Sequence, residues 1–442
     1  MMRRRAVLGG LLLGGCSTIT ETYESITGDA KPKLPGERIP ILPSAAPPTP
    51  EAPAGAGPVA LPRPAPLAEW PIAGGTPGHA PGHIAAADQL AVAWRSSIGD
   101  GAGYRRRLPS PPVMAGGRVY AMDSDAQVTA LDAAGGGRAW RVDARPENDS
   151  TGNLGGGLAV AGETVFAATG LAELLALEAA TGAIRWRAPL PAPARGAPSF
   201  AEGGRVCVPL LDNQLVACAP DDGHVLWSYR GQPSVAGLFG VPSPAVDGGL
   251  VVAGFSSGEL VCLRADSGSV AWSDSLGASG RESIADLSAI RGLPVIDRGL
   301  IYAISVAGQF SALDLRSGRR VWEREVSGQE TPCVAGDYVF VLSTQQVLSC
   351  VGREDGRIRW VRELPAYGDT ERRRDPISWT GPLLVGDRLV VAGTTSEALA
   401  VSPYTGEILG TQRLPGRCTI APIAANGTVF LLTDDATVVA LR

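Results

Sequence analysis

The residues of this chain with the most obvious chemistry are three histidines, seven cysteines and one serine in a nucleophile-like setting. Gly254-Phe255-Ser256-Ser257-Gly258 matches G-x-S-x-G, the pattern that exposes a serine nucleophile on a strand-to-helix elbow. Here it lies between two short apolar segments, 250–253 and 260–263, and reads as the turn of a hairpin. A hydrolase also needs a base, and the only histidines are His79, His83 and His224. His79 and His83 stand four apart, a spacing that serves a metal from a helix, but Pro81 and Gly82 between them forbid that helix. Gly155-Gly156-Gly157 lacks the Lys and Ser/Thr of a phosphate loop. No local cluster of Asp and Asn suggests a calcium site. We therefore expect no catalytic residue, no cofactor and no metal.

Cys16 stands apart. Met1-Met2-Arg3-Arg4-Arg5 is a basic leader, and residues 6–15 are an apolar run of ten. A helix needs about 20 apolar residues to cross a bilayer core, so residues 1–15 read as a signal peptide. The leader ends in Leu13-Gly14-Gly15-Cys16, which is similar to the bacterial lipobox. That likeness implies cleavage before Cys16, diacylglycerol on its thiol and N-acylation, several chains giving firm anchoring where one would be marginal. The alternative is a plain secretory cleavage site with an incidental cysteine. Ser17 replaces the aspartate that marks inner-membrane retention, so lipid anchoring to the outer membrane, on its periplasmic face, is expected. Six cysteines remain: Cys207, Cys218, Cys262, Cys333, Cys350 and Cys418. An exported protein can pair them, and Cys207 with Cys218 is the pair to test. The alternative is that they pack as small buried hydrophobes.

These residues must be positioned by something, and composition says what. A chain of 442 residues that is 45% hydrophobic and 19% charged is neither disordered throughout nor a multi-span membrane protein. Fifty-seven glycines and 36 prolines leave little room for long helices and point to many short strands. Net charge is −5, or −8 once the leader and its three arginines are gone, so nucleic acid is not an expected partner. Fifteen prolines between Lys31 and Pro81 erase any apolar period, and residues 16–88 read as a lipidated, Pro-rich tether. As a coil, such a stretch spans on the order of 50 Å.

Tryptophan sets the period of the rest. Trp94, Trp140, Trp186, Trp227, Trp272, Trp322 and Trp360 follow one another at 46, 46, 41, 45, 50 and 38 residues, and Gly410 takes the next place. A glycine lies four residues before each except the first, from Gly136 to Gly406. Each unit carries four short strands, the length and make-up of a propeller blade. Residues 90–98 form a lone fourth strand, and residues 422–442 supply three strands without a fourth. Residues 89–442 are thus predicted to be an all-β, eight-bladed propeller of four-stranded antiparallel blades, its last blade closed by the N-terminal strand. The recurrent tryptophans read as blade packing. Trp70 and Trp379, outside the period, are surface-contact or core-packing residues.

The unit Ala-Leu-Asp-x-x-Ser-Gly-x-x-x-Trp at residues 312–322 resembles the repeat of pyrroloquinoline-quinone-type propellers. With a lipobox and eight blades without insertions, the chain resembles the BamB family, lipoproteins of the outer-membrane β-barrel assembly (BAM) machinery. Leu34-Pro35-Gly36-Glu37-Arg38 and Trp70-Pro71-Ile72-Ala73-Gly74-Gly75 resemble its α-proteobacterial branch. The resemblance implies a non-enzymatic scaffold with a monomeric body. Its expected partners are the POTRA domains of a BamA-like barrel protein and, indirectly, other BAM lipoproteins. The family's contact loops align near Val235-Ala236-Gly237-Leu238 and Ala289-Ile290-Arg291, but neither family motif is reproduced. Leu238, Phe239, Arg281, Glu282 and Asp286 are the candidate partner-binding residues; for Leu238 and Phe239 ordinary interblade packing is the alternative. Arg105-Arg106-Arg107 and Arg372-Arg373-Arg374 read as solvated surface, or as binders of acidic loops or lipid headgroups. The rival class is a periplasmic quinoprotein dehydrogenase. Those enzymes are longer, and many carry adjacent cysteines, which this chain lacks. Another envelope scaffold would leave much the same repeat.

Overall fold

A computed structural model of the chain describes residues 48–51, 57–103, 106–147, 152–234, 240–277 and 288–442. Eight four-stranded antiparallel sheets follow one another as blades. Blades 1 to 7 cover residues 113–143, 156–189, 199–230, 245–275, 295–325, 333–363 and 379–413. Blade 8 takes its three inner strands from residues 423–441 and its outer strand, Val92–Ser97, from the other end of the chain. A short hairpin, Tyr367–Asp369 with Arg374–Pro376, stands between blades 6 and 7. The eight blades and the shared last one are as the repeat predicts.

Each periodic tryptophan sits on an outer strand opposite a small residue of the third strand. Ala130 faces Trp140, Ala312 faces Trp322, and Ala440 faces Trp94 across the closure. Cys262 and Cys350 occupy this same small slot opposite Trp272 and Trp360. The ring then reaches past its own blade. Six of the seven indoles donate to a backbone carbonyl of the next blade, as Trp227 does to Ala265 at 2.9 Å and Trp322 to Arg353 at 2.8 Å. The glycine four residues before the next tryptophan lies against the ring. A Cβ on Gly182, Gly268 or Gly318 would stand 2.6–2.7 Å from the indole of the preceding blade. These glycines therefore serve twice, through positive φ in the turn and through the missing side chain.

Residues 58–88, expected to be tether, pack on the propeller instead. Trp70, Ile72, His79, His83 and Ile84 are all at most 4% exposed. The reason lies in the inner strands, whose edges would otherwise leave backbone N–H groups unpaired in the channel. Carbonyls of this strap accept from four of them and from two amides in the turns that follow inner strands. Trp70 accepts from Met114 in blade 1, Pro71 from Val160 in blade 2, and Pro77 from Val246 in blade 4. Gly78 accepts from Ile296 in blade 5, Ile84 from Gly386 in blade 7, and Leu67 from Asn426 in blade 8. The strap also donates, from Trp70 N to Met114 O at 2.7 Å and from Ile84 N to Leu384 O at 3.4 Å. Prolines suit the rest of an extended path in which most contacts only accept. Packing thus begins earlier in the chain than expected, and residues 16–47 of the expected tether lie outside the described residues. Residue 51 touches an outer strand, where its amide bonds Ile358 O at 2.8 Å.

Candidate functional site at the interblade face

Antiparallel blades sort their connections onto two faces. The turns between first and second strands, and between third and fourth, share one face; the second-to-third turns and the interblade connections share the other. The strap bonds residues at the ends of the inner strands, so it lies toward the first of these faces. Among the described residues, the interblade connections surround a central cavity of about 1040 Å³. Its lining includes interblade residues such as Pro109, Arg195, Pro242, Leu293 and Glu330, Trp379 at the start of blade 7, and Trp70, Gly74 and His79 of the strap.

The two connections singled out from the sequence both belong to this face. Residues 231–244 join blades 3 and 4, and residues 276–294 join blades 4 and 5. Pro242 and Ser243 from the first, and Arg291 to Leu293 from the second, line the cavity. Leu238, Phe239, Arg281, Glu282 and Asp286 lie outside the described residues, as does Cys16. The anchors that launch the first connection are described. Glu259 is 7% exposed and accepts from the Tyr229 hydroxyl and the Gln232 amide, each at 2.7 Å. Asn213 donates to Gln232 O at 2.6 Å and accepts from Ser256 N at 3.1 Å. Burial, then the Glu259 bond, raises the Tyr229 phenol far above its usual range. Sequence reading did not find Glu259 or Asn213, since each is one polar residue in an ordinary repeat position. In hindsight, Asn213 at φ 55° marks a turn that favours Asn.

The other chemical candidates resolve into structure. Ser256 is in the turn after Leu250–Gly254, as the spacing predicts. His79 Nδ1 lies 2.8 Å from Pro294 O, just before blade 5. His83 Nδ1 lies 2.8 Å from Pro62 O, and its Nε2 meets Gly386 O in blade 7, so the two rings serve different blades. Burial lowers the His79 pKa to about 4. All six described cysteines are buried and unbridged, and Cys207 faces Ala217 rather than Cys218. Burial pushes the Cys207, Cys218, Cys262 and Cys418 thiols up to about 12. Trp70 and Trp379 are buried, at 4% and 3% exposed. Residues 372–374 are exposed on the hairpin between blades 6 and 7, whereas Arg106 pairs with Asp125 at 2.9 Å.

The comparisons agree with this architecture. The chain matches the family described as "Outer membrane protein assembly factor BamB" over residues 80–151, 124–362 and 369–442. The protein of that name from Alkalilimnicola ehrlichii is 32% identical over 355 residues, 79% of this chain and 87% of its own. The one from Salmonella typhimurium is 27% identical, covering 79% of this chain and 88% of its own. The crystal structure of BamB from Moraxella catarrhalis matches 80% of this chain and all of its own, with TM-score 0.68 and 20% identity. A europium-containing methanol dehydrogenase matches 83% of this chain and 90% of its own at TM-score 0.67 and 14% identity, a likeness of fold alone.

Proposed function

This chain belongs to the BamB family of outer membrane protein assembly factors, and on that premise we propose that it is a non-enzymatic scaffold of the outer-membrane barrel assembly machinery. The observation that supports a scaffold is the polarity of the ring. All interblade connections open on one face, and the segment leading back to the anchor packs toward the other. A partner can thus sit on the connections on the face away from the strap.

In this reading Cys16 carries the lipids that fix the protein to the periplasmic face of the outer membrane. The 32 residues from Cys16 to residue 47 form the tether, which as a coil spans about 30 Å. The partner is the POTRA region of a BamA-like barrel protein, met by the connections of residues 231–244 and 276–294 through Leu238, Phe239, Arg281, Glu282 and Asp286. Other lipoproteins of the machinery are reached through that partner. The strap segment 70–75, which carries the resemblance to the α-proteobacterial branch, supports placing the chain in that branch.

In-cell crosslinking from residues 232–240 and 281–293, followed by mild-detergent purification and mass spectrometry, tests the proposal. Crosslinks to POTRA domains are expected. A clean preparation without the barrel protein would overturn it.

A further inference from the structure

The G-x-S-x-G match at residues 254–258 sits on a turn of blade 4 that departs from the repeat. In five blades the residue after the second strand donates its amide to the carbonyl four residues on, and these are Asp123, Phe255, Ser305, Ser343 and Thr433. Four of the five are polar, and their side chains close their own turns. Asp123 Oδ1 accepts from Gln127 N at 2.9 Å, Ser305 Oγ from Gln309 N at 3.4 Å and Ser343 Oγ from Val347 N at 3.1 Å. Thr433 Oγ1 donates to Thr437 O at 2.9 Å. Blade 4 puts a fully buried Phe in this place. The Phe255 ring leaves its turn and stacks on Tyr229 of blade 3, with centroids 5.9 Å apart and planes 27° apart.

This turn touches both connections singled out from the sequence. On the side of residues 231–244, Gly231 rests on the Phe255 ring and the Glu259 carboxylate, where a Cβ would stand 3.0 and 2.5 Å away. Glu259 also takes the hydroxyl of the same Tyr229 and the amide of Gln232. On the side of residues 276–294 the turn holds both ends. Leu276 N donates to Gly258 O at 2.8 Å, and Ile290 N donates to Phe255 O at 3.0 Å. The Ile290 side chain lies over Gly254, where a Cβ would stand 2.5 Å from its Cγ2. A Cβ on Gly258 would stand 2.8 Å from Ser288 O. Phe255, Leu276 and Ile290 are all buried, and a close-packed interior of this kind transmits strain from one side to the other.

We propose that Phe255 is a positioning residue for partner binding, coupling the two connections so that a partner meets them as one surface, given that these connections carry the partner contact as proposed above. Its ring, against Tyr229 and Gly231, fixes where the first connection leaves blade 3. Its carbonyl, through Ile290 N, fixes where the second returns toward blade 5. A displacement of either connection reaches the other through this one turn.

The test compares Phe255→Leu, which keeps apolar bulk and removes the stacked ring, with Phe430→Leu, which removes a similarly buried ring from blade 8. Hydrogen exchange of the free full chain reads the coupling, and calorimetric titration with purified POTRA domains reads the partner contact. In Phe255→Leu, exchange at Gln232 and Ile290 should rise together about tenfold, and POTRA affinity should fall about fivefold. Phe430→Leu should lower the melting temperature by a similar amount and leave both readings at their wild-type values. Exchange that rises at one connection only, or a POTRA affinity that Phe255→Leu leaves unchanged, overturns the coupling. So does an equal loss of affinity in Phe430→Leu, which would trace the effect to stability. A wild-type chain that does not bind POTRA domains overturns the function reading itself, and the positioning role falls with it.

Discussion

The indole of Trp94, on the strand that closes the ring, lies against Gly136 of blade 1, where a Cβ would stand 2.6 Å from ring carbon Cε3. Its N–H reaches Ala133 O at 3.2 Å in the same turn. The joint between the last blade and the first is thus built like the other interblade joints. Gly136→Ala should cost about 2–4 kcal/mol, through positive φ at 74° and the clash with the ring. A methyl group on Gly137 would meet nothing within 4 Å, and its φ is not positive, so Gly137→Ala should leave the melting curve in place. Thermal unfolding of the two variants side by side checks this; equal melting temperatures would show that the joint does not depend on the stacking.

The strap makes a second prediction, because four inner-strand amides and two in the turns after them depend on it. A chain starting at residue 48 should melt as the full chain does. One starting at residue 89 loses the burial of Trp70, Ile72 and Ile84, about 5 kcal/mol or more, which is on the order of 10 °C for a chain of this size. Hydrogen exchange at Met114, Val160, Val246 and Ile296 should rise at the same time. Unchanged protection at these amides would mean that the strap is an ornament on a self-sufficient ring.

The ring was legible because each blade repeats one interaction, a tryptophan on the next blade's glycine, and so leaves a period. Even the exception is physical. Gly410 stands where blade 7 should carry a tryptophan, but blade 8 has no turn between its third and fourth strands, which come from distant parts of the chain. There is no glycine turn for an indole to rest on, and neighbouring Leu409 is 57% exposed. The strap was not legible because it meets six blades in turn along an extended path, and such a path imposes no period. Its only signal was Trp70, Ile72 and Ile84, apolar residues in a stretch that a plain spacer would leave polar. The cavity was hidden for a similar reason, since Arg107, Arg195, Arg291 and Arg417 come from four separate connections.

Buried His79 should make stability depend on pH. Its folded pKa, about 4, lies below the usual 6.5, because burial outweighs the bond to Pro294 O. The unfolded state binds the proton more tightly, so this contribution is full above pH 6.5 and is lost as pH falls toward 4. The loss amounts to about 3 kcal/mol. His79→Asn keeps a donor for Pro294 O and tolerates φ of 58°, and it should remove that part of the pH dependence. Denaturant titrations of both proteins between pH 4 and 7 measure it; parallel pH profiles would remove His79 from the account.

The six thiols besides Cys16 should be silent in the folded protein. Burial raises all of them, Cys333 to about 11 and Cys207 to about 12, so little thiolate forms near neutral pH. Iodoacetamide should label them only after denaturation, and without prior reduction. Labelling that requires a reductant would reveal a disulfide that this arrangement does not contain.

Glu259 connects fold to function most directly. Its buried carboxylate holds Tyr229 and Gln232 where the chain leaves blade 3 for the connection that includes Leu238. Glu259→Ala leaves the Tyr229 hydroxyl and the Gln232 amide without their acceptor, a loss of about 1–3 kcal/mol. If the connection carries the partner contact, recovery of the barrel protein in a pull-down should fall by more than this small destabilisation explains. Glu163, exposed on a turn of blade 2, is the control, and Glu163→Ala should change neither stability nor recovery. A Glu259 variant that melts lower yet recovers its partner in full would move the contact away from the junction of blades 3 and 4.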